Sequence, residues 1–215
     1  MQLISVNIGQ RRAIENAKKT GMTGIYKLPV RTPIQITING LAEDAICDTK
    51  NHGGPDQAVY IYGQPDYQWW SNILGQELSP GTFGENLTIS ELESASFSIG
   101  DRLQVGAVTL EVTAPRIPCG TLSARMGDPT FAKRFRAAER PGLYCRVIHA
   151  GWVQMGDQFS LERFTGETVS ILEMFREFYE PDRSEAKLRR YLAAPVAIRA
   201  RRDKQEQLQK LLEGG

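Results

Sequence analysis

Long apolar stretches are missing from this 215-residue sequence. A helix that crosses a bilayer needs roughly 20 predominantly apolar residues, so no membrane span is expected. The opening MQLISVNIGQRR lacks the basic-then-apolar order of a secretory leader, and a cytoplasmic protein is the expectation. Cysteine is scarce. Cys47, Cys119 and Cys145 are odd in number and widely spaced, which argues against a disulfide framework and for free thiols. There are only two histidines, His52 and His149. No C-x-x-C pair and no H-E-x-x-H occurs, so zinc has no support. The G-x-S-x-G elbow of hydrolases, the P-loop and the Gly-rich dinucleotide turn are absent too. Charge of one sign is also lacking: 26 Lys and Arg against 25 Asp and Glu leave a net +1. Such a balance creates no whole-molecule field for nucleic acid, and any anion site must be local.

What is present is a patterned chain, 41% hydrophobic, enough for a sizeable core. Residues 1–163 read mostly as short strands with frequent turns. LISVNI, QAVYIYG, NLTIS, LYCRVIHAG and DQFSLERF are strand candidates. IQITINGLAEDAICD reads as a hairpin, with Asn39-Gly40 as the pair that a type I′ turn demands. RLQVGAVTLEVT reads as a second hairpin through Gly106. Strands this short and this frequent suggest a barrel or sandwich. PDYQWWSNILG and DPTFAKRFRAAE read as helices, the second with Asp128 as N-cap and Pro129 at its first position. Tyr67, Trp69 and Trp70 of the first helix suit core packing better than a substrate pocket. From about Thr165 the spacing becomes helical, as in TVSILEMFREFYE. Two further helices follow, with Ser184 as an N-cap and Pro195 in the first turn of the last. The run ARRDKQEQ carries both signs and reads as a solvated helix face. The expected fold is mainly β, of the α+β class: a barrel-like domain over 1–165 and a three-helix unit over 166–215.

Three segments carry candidate chemistry. Pro115-Arg116-Ile117-Pro118-Cys119-Gly120-Thr121 follows a strand directly, and its two prolines stiffen the backbone. Cys119 then precedes a predicted helix, TLSARM, and stands near Arg116, a setting that lowers a thiol pKa. It is either a soft metal ligand or nucleophile, or a buried loop cysteine; the residues alone do not decide. Lys50-Asn51-His52-Gly53-Gly54-Pro55-Asp56-Gln57 combines two glycines with positive donors, as an anion-binding loop would, and equally fits a tight turn. Gly81-Thr82-Phe83-Gly84-Glu85-Asn86 offers polar groups for a heterocycle, or simply a turn.

Taken together and in this order, KNHGGPDQAVYIY, GTFGENLTI, SIGDRLQVG and APRIPCGTLSARM resemble the MOSC domain, named for the C-terminal domain of molybdenum cofactor sulfurases. The helical tail resembles the YiiM-like subgroup, and the resemblance covers nearly the whole chain. It implies a mostly β, barrel-like core and a molybdenum cofactor, molybdopterin with its metal, whose protein ligand falls on Cys119. It implies reduction of N-hydroxylated compounds such as hydroxylaminopurines and amidoximes to amines, protecting against base analogues. On this reading Lys50, His52, Gly53 and Gly54 bind the pterin phosphate. Asp56 and Gln57 position that loop or touch the pterin, Thr82 and Asn86 make polar contacts, Arg116 offers charge to the cofactor or supports the thiolate, and Thr121 helps through its N–H or hydroxyl. No iron–sulfur, haem or flavin motif is visible, so a separate electron-donor protein is expected. No nucleic-acid or membrane partner is expected, and a homodimer is left open. Two competing functions use the same cysteine: a sulfur carrier holding a Cys119 persulfide, and a cofactor-binding module without turnover.

Overall fold

The computed structural model describes residues 1–15, 21–49 and 52–213. In chain order the elements are strands β1 (Leu3–Gly9), β2 (Arg12–Ala13), β3 (Met22–Thr23), β4 (Lys27–Val30), β5 (Ile34–Thr37), β6 (Gly40–Leu41) and β7 (Val59–Gly63), then helix α1 (Gln64–Leu74) and strands β8 (Leu87–Ile89), β9 (Arg102–Val105) and β10 (Val108–Pro115). Helices α2 (Gly120–Met126) and α3 (Phe131–Ala138) precede strands β11 (Leu143–His149), β12 (Gly151–Val153) and β13 (Ser160–Glu162). Helices α4 (Ile171–Tyr179), α5 (Glu185–Ala193) and α6 (Ile198–Glu213) close the chain.

Eight strands form one sheet in the order β13-β9-β10-β11-β7-β8-β1-β4. All its neighbours are antiparallel except β7 and β8, whose connection carries α1. The result is an α+β fold, but not a closed barrel: among the described residues no ladder joins edge strands β13 and β4. The ends are only drawn together. Gln2 bridges Gln158, and Leu3 N donates to Asp157 O at 2.8 Å. Edges left unpaired this way are shortened, as three-residue β13 and four-residue β4 are.

The two hairpins form, one of them with a shifted turn. Val105 pairs Val108, so Gly106 and Ala107 make the turn, and Gly106 takes the left-handed φ of +54° that glycine permits. In the other, Thr37 pairs Gly40, so the turn is Ile38-Asn39, one residue earlier than the Asn39-Gly40 turn expected. The Thr37 hydroxyl accepts from Asn39 N and donates to Gly40 O, which fixes that register; Ile38 is left exposed. Two helix starts also differ. Asp128 receives bonds from Thr130 N and its hydroxyl, so it closes a turn before α3 rather than capping the helix itself. Pro195 lies in the connection before α6, not in its first turn.

The core has two parts. Alternate residues of the sheet strands, including Val6, Ile61, Leu103, Leu110 and Val112, bury together with Val169, Ile171, Tyr191 and Val196 from the tail. The tail is therefore packed rather than loose. Ile99 N donates to Val169 O and Ile171 N to Phe97 O, both at 2.9 Å. The second part is aromatic: Tyr62, Tyr67, Trp70, Phe83, Phe131 and Phe135 bury together, and Trp70 Nε1 donates to Tyr62 Oη at 2.9 Å. Tyr67 and Trp70 are thus core, as expected of them in preference to a substrate pocket. This cluster holds α1, α3 and the 81–86 segment behind the end of the sheet where Cys119 sits.

Candidate functional site

Strand β10 runs to Pro115, and α2 begins at Gly120, with Cys119 as the extended residue just before its first turn (φ −133°, ψ 171°). The proline-flanked loop thus presents the thiol at a helix start, as its sequence predicts. Burial pushes the Cys119 thiol up, but this is outweighed. The His52 ring bonds the sulfur, Arg116 and His52 add positive charge, and Leu122 N–H points at it; together they bring the pKa from 9.0 to about 6. At neutral pH the side chain is a thiolate.

The sulfur lines a cavity of about 110 Å³, assembled from segments far apart in sequence. His52, Gly53 and Gln57 come from the Gly-rich loop, Asn86 from the 81–86 segment, and Arg116 and Thr121 from either side of the cysteine. Six of the residues proposed from sequence thus meet around Cys119. The loop's form explains part of this: Gly53 has φ +139°, its N–H donates to Gln57 Oε1 at 3.1 Å, and His52 N donates to Asp48 O at 2.8 Å. The ring is turned toward the thiol and toward Tyr144, whose hydroxyl is 3.4 Å from His52 Nδ1.

Arg116 is buried and remains protonated: burial opposes its charge, and Tyr60, Tyr144 and Cys119 more than offset that. Its guanidinium donates from Nη1 to Phe83 O and sits 4.9 Å from the Tyr60 ring centroid, a cation–π arrangement. Its Nε has no partner among the described residues. Gly84 makes room for it. A Cβ there would lie 2.8 Å from the Ile25 side chain and 3.4 Å from Arg116 Nη1. Glycine is what lets the 81–86 segment approach so closely.

Three proposed residues lie outside the lining. Thr82 is not at the cavity, because its hydroxyl closes a turn onto Ser79 O at 2.7 Å and its N–H is taken by Tyr67 Oη. Asp56 does not line the cavity, but it takes the first of the two roles expected of it, positioning the loop. Its carboxylate pairs with Arg146 at 3.0 Å and accepts from Ile198 N at 2.5 Å, so it ties the loop to β11 and to the start of α6. Gly54 lies outside the lining, and Lys50 falls outside the described residues. Asn86 reaches the wall, but it is also a scaffold. Its Oδ1 accepts from Tyr60 N at 3.1 Å and its Nδ2 donates to Asp44 Oδ2 at 2.9 Å.

Sequence reasoning missed Lys27, Asp44, Tyr60 and Tyr144, all in the cavity wall. Lys27 is buried and pairs with Asp44; burial pulls its amine below the usual range and Asp44 restores only part of that. Nothing in KLPV signals an inward lysine, because its partner lies in a loop 17 residues on. Among the described residues, no group of three or more His, Cys, Asp and Glu gathers as a metal cage. A metal held by Cys119 would therefore bring its other ligands with it. No described helix is long and apolar enough to cross a membrane.

The family model described as MOSC domain matches residues 48–160, the stretch that contains the Gly-rich loop, the 81–86 segment and the Cys119 loop. The uncharacterized protein YflK of Bacillus subtilis (strain 168) is 32% identical over 159 residues, 74% of this chain and 72% of that one. A protein named reductase from Gibberella moniliformis (strain M3125 / FGSC 7600) is 33% identical over 158 residues; these are 72% of this chain but 28% of that longer protein. The crystal structure of YiiM from Geobacillus stearothermophilus superposes with a TM-score of 0.79 at 25% identity, covering 96% of this chain and 98% of that one.

Proposed function

Because the chain belongs to the MOSC domain family, we propose that it holds a molybdenum cofactor through Cys119 and uses it to reduce N-hydroxylated compounds to amines. The observation that carries this reading is the thiolate: a sulfur with pKa about 6 at the wall of a cation-lined cavity. The residues present fit the group. A soft thiolate suits a metal already bound by dithiolene sulfur. Buried Arg116, with an unpartnered Nε, offers a positive donor to an anionic end of the cofactor, and Lys27, paired with Asp44, stands in the same wall. The backbone at Gly53 adds to that phosphate subsite, while Gln57, Asn86 and Thr121 are the polar contacts for the pterin. When bound, the cofactor supplies two-electron chemistry that protein side chains lack.

The chain's own contribution is charge and position. His52, steadied by Tyr144 and the Asp48 carbonyl, and Arg116 together hold the sulfur ionised. In the overall reaction an N-hydroxylated substrate takes two electrons and two protons. The N–O bond breaks, an N–H bond forms, and the oxygen leaves as water. A separate donor protein supplies the electrons, since the sequence carries no iron–sulfur, haem or flavin motif. The kinship with a protein named reductase supports the direction of the chemistry. Removal of toxic base analogues in the cytoplasm is the role that follows.

The test is turnover. Metal-replete protein with a low-potential donor should convert hydroxylaminopurine or an amidoxime to the amine, and metal-free protein should not. A persulfide carrier uses the same low-pKa thiolate, and it would instead release sulfur from Cys119 to cyanide and form no amine. Absence of amine from several N-hydroxylated substrates, with metal and reductant in place, would leave only cofactor binding.

A further inference from the structure

We propose that the outer face of the cavity wall, where Arg12 and Arg125 both stack on Tyr26, is the docking surface for an acidic electron-donor protein. The inference rests on the reductase reading above, which needs such a donor, and names where it binds. From Ile25 to Leu28 the chain alternates in and out. Ile25 and Lys27 are buried and line the cavity that holds Cys119. Tyr26 is half-buried and Leu28 is 70% exposed, both on the opposite side. At this point a single strand of chain separates the cavity from solvent.

Three segments meet on that outer face. Arg12 is exposed on β2, where it pairs with Thr23, a lining residue of the cavity. Arg125 is half-buried on α2, the helix that begins just after Cys119, and lies about 9 Å along its axis from the cysteine. The two guanidinium carbons sit 3.9 Å and 4.8 Å from the Tyr26 ring centroid. Their charges are thus within roughly a screening length, about 8–10 Å, of each other. Like charges at that distance repel, and no carboxylate among the described residues pairs with either arginine. Glu15 and Asp128 line the adjoining groove with Tyr26, but Asp128 is held by Arg134, and Glu15 pairs with neither. Elsewhere exposed arginines are matched, as Arg136 is by Glu180 and Arg176 by Glu139. An acidic partner would supply the missing counter-charge, with Tyr26 and Leu28 as its apolar contact. Arginine and tyrosine are the residues that most often anchor protein interfaces. Opposite charges mainly speed and orient encounter, which suits a donor that binds briefly and leaves. A nucleic acid would need a longer basic track than two arginines in a chain of net charge +1. The docked donor is oxidised by two electrons in all, and these are the electrons that cleavage of the N–O bond consumes with two protons.

The experiment uses holoprotein whose molybdenum content is measured. Its donors are two acidic proteins, a reduced flavodoxin and a reduced plant-type ferredoxin, and methyl viologen, a small cation that needs no docking face. In the parent, hydroxylaminopurine reduction at limiting donor protein should slow steeply as salt rises, and the viologen rate should not. The Arg12→Glu, Arg125→Glu double variant should slow the protein-driven rate about tenfold at low salt, flatten its salt dependence and weaken binding of the oxidised donor by a similar factor. Arg12→Glu alone changes only an exposed position; it should do part of this, and it decides the matter should the double variant misfold. Molybdenum content and the viologen rate should stay as in the parent. Unchanged protein-driven rate and donor binding in these variants would overturn the proposal. An equal loss with viologen, or lost molybdenum in Arg12→Glu, would also overturn it, because the stack would then brace the cavity. So would a parent that binds neither acidic protein; a DNA duplex or inorganic phosphate bound in their place through the same arginines would be the true occupant. Donor binding that depends on these arginines, in a parent that forms no amine even with viologen, would sink the reductase reading alone.

Discussion

Replacing His52 with alanine tests how the site sets the state of its sulfur. In the parent, the thiol pKa of about 6 stands against an ordinary 9.0. At pH 7 these values correspond to roughly 90% and roughly 1% thiolate. The gain in reactivity is smaller than that ratio. A thousandfold fall in proton affinity, with a Brønsted slope of about 0.4–0.5, makes the thiolate roughly 15- to 30-fold less nucleophilic. Alkylation of Cys119 at pH 7 should therefore be only about three- to sixfold faster than for an ordinary thiol. The midpoint of the pH–rate curve is the sharper observable. Rates measured on metal-free protein in a Cys47→Ser background report Cys119, because Cys145 is fully buried and burial pushes its thiol up. The parent should level off above about pH 7. In His52→Ala the hydrogen bond from the ring is lost, Arg116 remains, and the midpoint should rise part of the way to the ordinary range. A parent midpoint near the ordinary 9.0 would refute the reasoning, as would an unmoved midpoint in His52→Ala. The same titration sets the sign for cofactor retention. The thiolate is formed above about pH 6, so retention holds at neutral pH and falls as pH drops through that value and protons compete for the sulfur.

Two further outcomes concern the braces between the tail and the sheet. Asp56→Ala removes the pair with Arg146 and the acceptor for Ile198 N, and should lower unfolding free energy by about 2 kcal/mol in urea titration. It should leave molybdenum content intact, because Asp56 does not line the cavity; lost metal would make it a site residue after all. Glu177→Leu strands the Lys204 ammonium, whose side chain is 11% exposed, and should cost about 3 kcal/mol. The Glu177→Leu, Lys204→Met double variant should recover most of that loss, and equal instability of the two would show that the stranded charge is not the cause.

How far the chain could be read in advance depends on the range of the interactions. The Cys119 loop was legible because prolines, a glycine and a helix start act within a few residues, and the structure keeps that order. The tail helices were legible from spacing, and Phe175 and Leu188 are buried as that spacing requires. The way the two ends of the sheet are drawn together was not legible. It rests on where residues 156–159 meet Met1 and Leu3, a pairing across most of the chain. Lys204 was hidden for a related reason. Inside a run of mixed charge it looks solvated, and only the arrival of Glu177 from another helix turns it inward. Thr82 is expected at the site on residue type, yet its hydroxyl is spent on a local turn that type alone does not reveal. Lys27 and Asp44 show the converse: two ordinary charges become site residues only when β4 and a distant loop meet.

The central claim, that Cys119 holds the cofactor, is tested most directly by metal analysis of protein made in a cofactor-competent host. Parent, Cys47→Ser and Cys145→Ser proteins should each carry close to one molybdenum per chain. Cys119→Ser should carry almost none while folding normally, because a serine hydroxyl stays protonated at neutral pH where the thiol does not. A Cys119→Ser protein holding as much molybdenum as the parent would contradict the account.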